Sequence, residues 1–321
     1  MFRKGGTLPD GGRVCVLSAL NGSAHRHRII SCARHGRCIG HRDETDTTDM
    51  PNEAKMAADA LEAALSLEVD RLPSPLGALV YHAMRGGKRL RPRLTVAFAA
   101  GYGGARGDAF RLGIAVEFIH RASLIQDDLP CMDAAEERSG YPALHAHCSP
   151  AEAVLTSDLM IAHAFRICAE STHPAESVTI VSAAVADLCR GQAQDLRSSG
   201  ATPRETDWRD VCDAKTGALF VAAAKLGVVT AGRTDGDVMR IATRFGRALG
   251  RLYQWHDDTT DGDAGPVPAA LAQAEISAIG AYARRVPTTA PILAFLDLLA
   301  PALHAVKRLP ANGSRCAVGQ R

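Results

Sequence analysis

Apolar side chains recur at intervals of three and four residues along most of the chain from Pro51 onward, which is the spacing of amphipathic helices. Pro130 ends or kinks the stretch 108–128, and Gly and Pro punctuate shorter segments between 73 and 104. Further helical patterns cover about 150–170, 176–196, 208–231, 235–261, 269–284 and 290–307. Strand-like alternation is almost absent. The pattern predicts an all-α fold, a single-domain bundle of about ten or more helices.

The composition is that of a globular chain, with 46% hydrophobic and 22% charged residues among 321. No apolar run reaches the roughly 18 residues that span a membrane, because Lys225 interrupts the best candidate. The net charge of +2 comes from the first 49 residues, so the nearly neutral remainder lacks the basic face of a nucleic-acid-binding protein. Nine irregularly spaced cysteines without a C-x-x-C pair indicate a reducing compartment, and we expect a cytoplasmic protein.

The first 49 residues are rich in Gly, Arg and His and show no sustained helical period. Three interpretations stay open: a disordered extension, an Arg-rich targeting segment, and a true start at Met50. A Cys32/His35/Cys38/His41 cluster lies here, but its spacing fits no common zinc finger. We expect an extension at 1–49, a domain at 50–310 and a flexible tail at 311–321.

Two carboxylate clusters each close a helix whose body is otherwise apolar. The first runs from Asp127-Asp128 to Asp133, and the second from Asp257-Asp258 to Asp261. Residues four apart on a helix share a face, where like charges destabilise it unless a cation lies between them. A magnesium ion bound by carboxylates and substrate phosphates is the common neutraliser. A solvated acidic helix end is the alternative for either cluster taken alone.

Cations suited to phosphate accompany these clusters. Lys88 and Arg91 stand three residues apart after a Gly-Gly pair, and His120 lies two turns before Asp127. Arg138 follows the first cluster, and Lys215-Thr216 begins a helical face. Each has a plain structural explanation by itself, and only the whole set points to a phosphate-binding site.

In this order the residues resemble the trans-prenyl diphosphate synthases, the family that makes geranyl, farnesyl and geranylgeranyl diphosphates. The resemblance covers about residues 72–263 and is carried by the following segments: GGKRLRP at 86–92, EFIH at 117–120, SLIQDDLPCMD at 123–133, GQAQD at 191–195, KTGAL at 215–219, and YQ at 253–254 before the second cluster. His145 and Asp158 match further positions of the family. The fold that this implies is the isoprenoid synthase fold, a helical bundle around a central active-site cavity.

The resemblance implies a role for each matching position. Two or three Mg²⁺ ions would be bound by Asp127, Asp133 and Asp257, assisted by Asp128, Asp258 and Asp261. The allylic diphosphate would be held by Lys215, Thr216, Gln254 and Arg138. Isopentenyl diphosphate would be held by Lys88, Arg91 and His120. The resemblance also implies a homodimer with one cavity in each subunit.

Two small residues on the helix that precedes the first carboxylate cluster bear on product length. Ser123 and Ala122 lie about 6–8 Å deeper than Asp127 along a helix that rises 1.5 Å per residue. In the family, bulky aromatic side chains at these positions close the pocket at fifteen carbons. Small side chains here, together with the longer D-D-x-x-x-x-D form of the first cluster, predict geranylgeranyl diphosphate, with twenty carbons, as the product.

Three departures from the family pattern weaken the expected binding of diphosphates. The second of two usual arginines is Ser139, and the usual Lys nearby is Tyr141. No Lys or Arg occurs between Asp261 and Arg284, where the family has a Gly-Lys segment. Loss of one bidentate phosphate contact costs about 1.5–3 kcal/mol, so we expect isopentenyl diphosphate to bind about ten- to a hundredfold more weakly.

Three other functions are compatible with parts of this pattern. A non-catalytic or weakly active subunit that regulates a prenyl diphosphate synthase is the main alternative. A class I terpene cyclase shares the helical fold, but Gly265 stands where its second motif has an acidic residue. A phosphohydrolase suggested by His256-Asp257 lacks the other spaced histidines of that class.

Overall fold

The structure is a computed structural model that describes residues 14–15, 30–31, 50–138, 140–198, 205–260 and 269–299. The chain divides into two compact units, Met1–Lys55 and Met56–Arg321. In the first unit, β1 (Val14–Cys15) pairs antiparallel with β2 (Ile30–Ser31). The Cys/His cluster at 32–41 and the predicted tail at 311–321 lie outside the described residues, as do Ser139 and Asp261.

Helices make up most of the described chain from Met50 onward, which confirms the all-α prediction. They are α1 (Met50–Val69), α2 (Leu76–Ala83), α3 (Leu90–Tyr102), α4 (Arg106–Asp127), α5 (Leu144–His147), α6 (Pro150–Ala169), α7 (Pro174–Ser198), α8 (Glu205–Cys212), a π-helical turn (Asp213–Gly217), α9 (Ala218–Val229), α10 (Gly236–Thr260), α11 (Ala269–Ala283) and α12 (Ala290–Asp297). A hairpin of β3 (Glu137–Arg138) and β4 (Tyr141–Pro142) separates α4 from α5.

Local sequence signals explain where several helices begin and end. Ser149 accepts a hydrogen bond from the Glu152 backbone N–H, and Glu152 accepts one from the Ser149 backbone N–H, which forms a capping box before α6. Pro150 occupies the first turn, where its missing N–H is no loss. Gly103 ends α3 with φ at +76°, a conformation that glycine adopts without strain. The predicted ends of α4 and α6 are within two residues of those observed.

The core of the second unit is built around α4, which packs against α3, α6 and α9. Every residue from Leu112 to Ile119 is buried, so this helix has no solvent-facing side over two turns. The rings of Phe98 and Phe245 meet edge to face, with centroids 5.1 Å apart. The central position of α4 places its last residue, Asp127, at the end of the apolar core rather than on a peripheral helix.

The segment predicted as one helix over 208–231 is divided by the π-helical turn. Close packing accompanies this difference: a Cβ on Gly191 of α7 would lie 2.7 Å from the Lys215 backbone nitrogen. A Cβ on Gly250 of α10 would lie 2.5 Å from the Cα of Gly217. The turn is therefore held between two helices that approach its backbone. Such turns are frequent at functional sites, and this one carries Lys215 and Thr216.

The last predicted helix extends to residue 307, whereas α12 ends at Asp297 and residues from 300 onward lie outside the described part. Within the described ranges, none of the helices combines the length and the apolar character that a membrane crossing needs.

Candidate active site

The first carboxylate cluster lies where α4 ends. Asp127 is the last residue of the helix, and the following loop folds back so that the Asp133 backbone N–H donates to the Asp127 carbonyl at 2.9 Å. Burial raises the pKa of the Asp127 carboxyl, and the neighbouring Asp133 acts in the same direction, while Lys215 opposes both. Asp127 is half-buried and Asp133 is exposed. The loop therefore places several negative charges close together at the end of the apolar core.

The second residue of this pair, Asp128, has a partner within the protein. Its carboxylate is buried and accepts from the Arg138 Nε at 2.9 Å, with a second contact from the same guanidinium. Arg138 belongs to β3, so the hairpin is tied to the end of α4. This hydrogen bond raises the pKa of Arg138. The guanidinium predicted to hold substrate therefore lies beside the cluster and is paired with Asp128.

The second cluster lies in the last turns of α10. Asp258 accepts from the Trp208 Nε1 at 3.1 Å and from the Gln254 Nε2 at 2.7 Å. Gln254 in turn accepts from the Thr216 hydroxyl at 2.5 Å. Asp257 is half-buried, and its Oδ1 lies 3.5 Å from the His256 Nδ1. A chain of hydrogen bonds therefore joins the π-helical turn to the second cluster.

The π-helical turn also positions Lys215. Its ammonium donates to the Asp195 Oδ2 of α7 at 2.7 Å, and its charge lowers the pKa of Asp127. Lys215 is thus placed between α7 and the end of α4. Thr216 is nearly buried and faces α10 through Gln254. The structure brings these predicted residues together from elements far apart in sequence.

Arg91 lies in the first turn of α3 with its guanidinium carbon 4.8 Å from the centroid of the Phe220 ring. Burial lowers the pKa of Arg91, and the negative charges of Glu117 and Asp257 raise it. Its Nε is buried and has no hydrogen-bond partner among the described residues. A buried donor of this kind is costly unless a ligand satisfies it.

His120 occupies the inner face of α4 among cations. Burial lowers the pKa of its imidazole well below the usual range, and the guanidinium groups of Arg91, Arg121, Arg89 and Arg138 act in the same direction. The ring is therefore neutral at pH 7 and can donate one N–H. Lys88 is exposed on the loop that follows the two glycines. This side of the site has a cationic character that an anion would relieve.

The glycines before Lys88 have a steric and conformational role. Gly86 and Gly87 have φ values of +66° and +90°. A Cβ on Gly87 would lie 2.1 Å from the Arg121 Nη2, which donates to the Gly86 carbonyl at 2.5 Å. The loop that carries Lys88 can therefore lie directly on Arg121 only with glycine at this position.

A buried ion-pair network, which the sequence did not predict, lies below this loop. Glu117 accepts from the Arg89 Nη1 at 3.0 Å and from the Arg121 Nε at 3.2 Å. Arg89 also donates its Nε to Glu62 of α1 at 2.9 Å, although its φ of +51° is unfavourable for a residue with a side chain. A sequence signal for this network exists, because Glu117 and Arg121 are oppositely charged, four residues apart, and lie in the mostly apolar stretch 112–125 of α4.

The two residues predicted to set product length differ in exposure. Ala122 is fully buried, and its carbonyl accepts from the Ser157 hydroxyl of α6 at 3.2 Å. Ser123 is partly exposed, and its hydroxyl donates to the His120 carbonyl at 2.9 Å. Ser123 therefore has space beside it that Ala122 does not have.

The donor set suits a hard divalent cation, since Asp127, Asp133 and Asp257 offer carboxylate oxygens of the kind magnesium prefers. Burial raises the pKa of the Asp127 carboxyl, and the charge of Asp133 adds to this rise against the opposing charge of Lys215. Within the described ranges, no group of three His, Cys, Asp or Glu side chains is close enough together to hold a metal ion by itself. The carboxylates fit an ion that is shared with a substrate diphosphate.

Known proteins share the fold and part of the sequence of this chain. The polyprenyl synthetase family matches residues 74–266. Geranylgeranyl pyrophosphate synthase 12, chloroplastic, of Arabidopsis thaliana is 36% identical over 270 residues, which cover 77% of this chain and 74% of that protein. Geranylgeranyl pyrophosphate synthase 11, chloroplastic, of the same plant is 33% identical over 234 residues, and the match covers 68% of this chain but only 65% of that relative. The crystal structure of an FPP/GFPP synthase from Zymomonas mobilis aligns with a TM-score of 0.70 at 30% identity, over 78% of this chain and 99% of that one.

Proposed function

Because the chain belongs to the polyprenyl synthetase family, we propose that it is a magnesium-dependent trans-prenyltransferase that condenses isopentenyl diphosphate with an allylic diphosphate. The observation that carries the proposal is that acids and cations from different helices lie close enough for their charges to affect one another. Lys215 of the π-helical turn acts on Asp127 of α4, and Arg91 of α3 interacts with Asp257 of α10. A site with acids on one side and cations on the other suits a metal-bound diphosphate next to a second diphosphate.

In this proposal the chain binds and orients two anions. Asp127, Asp133 and Asp257 would hold two or three Mg²⁺ ions, which withdraw charge from the leaving diphosphate. Lys215 and Thr216 would bind the same diphosphate, with Gln254 orienting the Thr216 hydroxyl and Arg138 contributing from the hairpin. Lys215 and Arg138 would add positive charge where negative charge develops, and the Thr216 hydroxyl would donate there on turning away from Gln254.

The second substrate would bind beside Arg91, Lys88 and His120. A neutral His120 donates one N–H to a phosphate oxygen, and Arg91 satisfies its buried Nε there. The allylic C–O bond breaks with its electron pair leaving on the diphosphate. The double bond of isopentenyl diphosphate then attacks the allylic carbon, and the released diphosphate accepts the proton that is lost. Holding the two substrates side by side would supply much of the rate.

The product proposed is geranylgeranyl diphosphate. Two curated relatives named above are geranylgeranyl pyrophosphate synthases, while the solved structure is an FPP/GFPP synthase, so the family name leaves chain length open. The small Ser123, four residues before Asp127, supports the longer product because it leaves space along α4. Assembly as a homodimer and a cytoplasmic location also stay predictions, and sedimentation of the purified chain tests the former.

The experiment is incubation of the full chain with Mg²⁺, isopentenyl diphosphate and, in separate reactions, dimethylallyl, geranyl or farnesyl diphosphate. Removal of phosphate and chromatography of the alcohols would give a twenty-carbon product. Matched reactions contain EDTA or the isosteric variant Asp257→Asn, and both should lose product. No condensation with any starter would reject the proposal.

A regulatory subunit is the second candidate, favoured by Ser139 and by the absence of Lys or Arg from 262–283. These positions lack cations that family members use for diphosphates. That candidate predicts no condensation by the chain alone, but a changed product length when it is mixed with an active synthase.

A further inference from the structure

A cleft opens between α2, α4 and the β3–β4 hairpin, next to the first carboxylate cluster. Its polar lining consists of His82, Arg85, Arg121, Asp128, Arg138 and Tyr141. Three guanidinium groups thus face one carboxylate. No residue of α7 to α10 lines this cleft, which separates it from the side of the site that carries Thr216 and Gln254.

The three arginines of the cleft differ in their partners. Arg138 is paired with Asp128, and Arg121 with Glu117. Arg85 is exposed and forms no ion pair with any carboxylate in the described part of the chain. Its guanidinium carbon lies 4.3 Å from the centroid of the Tyr141 ring, a cation–π contact that leaves all five N–H donors available. Arg85 is therefore the arginine of the cleft whose charge is not yet compensated.

The contact partner of Arg85 stands at one of the positions where this chain departs from the family. Tyr141 replaces a usual Lys, and Ser139 replaces a usual Arg. The Tyr141 ring also approaches the glycine loop, since its Cε2 is 4.0 Å from where a Cβ on Gly86 would lie. The hairpin and the loop that carries Lys88 therefore meet at this point, and Arg85 immediately precedes that loop.

We propose that Arg85, held against the Tyr141 ring, supplies the positive charge that the hairpin lacks and binds the diphosphate of isopentenyl diphosphate together with Lys88. This inference rests on the proposed function. A guanidinium offers two parallel N–H donors to a phosphate, and stacking on an aromatic face reduces the freedom that binding would otherwise have to remove. Tyr141 is then a positioning residue: it stands where a Lys is usual, and it orients the guanidinium of Arg85.

The test is steady-state kinetics of Arg85→Gln, which keeps hydrogen-bonding capacity but removes the charge. The KM for isopentenyl diphosphate should rise about tenfold, as expected for a lost charge-assisted contact. The KM for the allylic substrate and the product length should not change. Arg106→Gln is the matched control, because Arg106 is also exposed and stacks on an aromatic ring, that of Phe110, away from the cleft.

Three further variants separate binding from a general structural effect. Tyr141→Phe keeps the ring and should leave the KM near that of the wild type, whereas Tyr141→Leu should raise it by a smaller factor than Arg85→Gln. Ser139→Arg restores the family's cation. In that background, Arg85→Gln should raise the KM less than threefold instead of about tenfold.

An equal KM for Arg85→Gln and Arg106→Gln overturns the inference, and so does an undiminished effect in the Ser139→Arg background. Calorimetric titration with isopentenyl diphosphate keeps this inference distinct from the proposed function. If the wild type shows no condensation but binds isopentenyl diphosphate about tenfold more tightly than Arg85→Gln, the assignment of Arg85 stands and prenyl transfer fails. If neither protein binds it, both are rejected.

Discussion

The two aspartate pairs, Asp127-Asp128 at the end of α4 and Asp257-Asp258 in the last turn of α10, are stabilised differently. In each pair the second aspartate is held by the protein and the first is half-buried at the site. Asp128 is held by a cation, Arg138, whereas Asp258 accepts from the neutral Trp208 indole and Gln254 amide. The same Asp-Asp motif therefore leaves its first carboxylate half-buried in both places, although different groups hold the second carboxylate. The second member of each pair is thus tied to neighbouring elements, while the first is the member of the proposed metal set.

The largest expected effect concerns the first member of each pair. Asp127→Asn and Asp257→Asn should each lower kcat about a thousandfold, because each removes a carboxylate from the proposed metal set while keeping its size. Activity measured across a range of Mg²⁺ concentrations checks this, and circular dichroism verifies that each variant is folded. If either variant keeps more than a tenth of the wild-type kcat, that aspartate has no role in metal binding.

The elements that carry these residues differ in whether the sequence alone predicts them. The helical period predicted α4 and α10 with their acidic ends, because a continuous apolar face has a strong period. The π-helical turn was missed, since the residues packed against it, Gly191 and Gly250, lie on helices far from it in the sequence. Arg89 was missed for a similar reason: its left-handed backbone is supported by Glu62 and Glu117 from other elements. Features held by long-range contacts leave little local pattern.

The second test uses the residues four positions before each pair. Ser123 precedes Asp127, while Tyr253 precedes Asp257, so α4 has a small side chain where α10 has an aromatic one. Ser123→Phe should shift the main product from twenty to fifteen carbons, because the chain is expected to grow along α4. Chromatography of the dephosphorylated products measures the shift. Ser123→Ala, which keeps the position small, should leave the product unchanged.

Ala122→Phe is a less clean test of the same idea. Ala122 is fully buried against α6, and an added ring there costs about 1–3 kcal/mol through overpacking. A shorter product from this variant is expected as well, but only a melting curve close to that of the wild type makes the result informative. An unchanged product from both phenylalanine variants would mean that the growing chain does not pass this side of α4.

The third test compares the second members, Asp128 and Asp258, by stability. In Asp258→Asn one amide N–H₂ must face either Trp208 or Gln254, which leaves a donor unsatisfied at a cost of about 1–3 kcal/mol. Asp128→Asn loses a pair with an arginine whose side chain is 39% exposed, so screening by water limits the loss to about 1 kcal/mol. Urea unfolding of both variants measures the difference.

Salt provides the control for that comparison. Raising NaCl from low to molar concentration should reduce the deficit of Asp128→Asn, because ions screen the partly exposed pair. It should leave the deficit of Asp258→Asn unchanged, since neutral donors hold that carboxylate. The same salt response in both variants would show that the two pairs are stabilised alike after all.

The smallest expected effect is one of pH, and it arises away from both aspartate pairs. His163 of α6 is buried, with its Nε2 3.2 Å from a Glu68 oxygen and its Nδ1 2.8 Å from the Arg166 Nη2. Burial lowers its pKa, and the charge of Arg166 adds to this although Glu68 opposes it. The folded state therefore keeps His163 neutral where the unfolded chain already binds a proton.

Because the unfolded chain binds this proton more readily, the free energy of unfolding falls as the pH falls. The contribution of His163 is complete above pH 6.5, the ordinary histidine pKa, and is lost as the pH falls below it. The pKa of His120 is also lowered, so this histidine contributes with the same sign. His163→Gln should flatten the fall in unfolding free energy between pH 6.5 and 5.5 compared with the wild type. Equal slopes in the two proteins would instead assign that fall to other groups, and the pH dependence of the aspartate variants could then be compared directly.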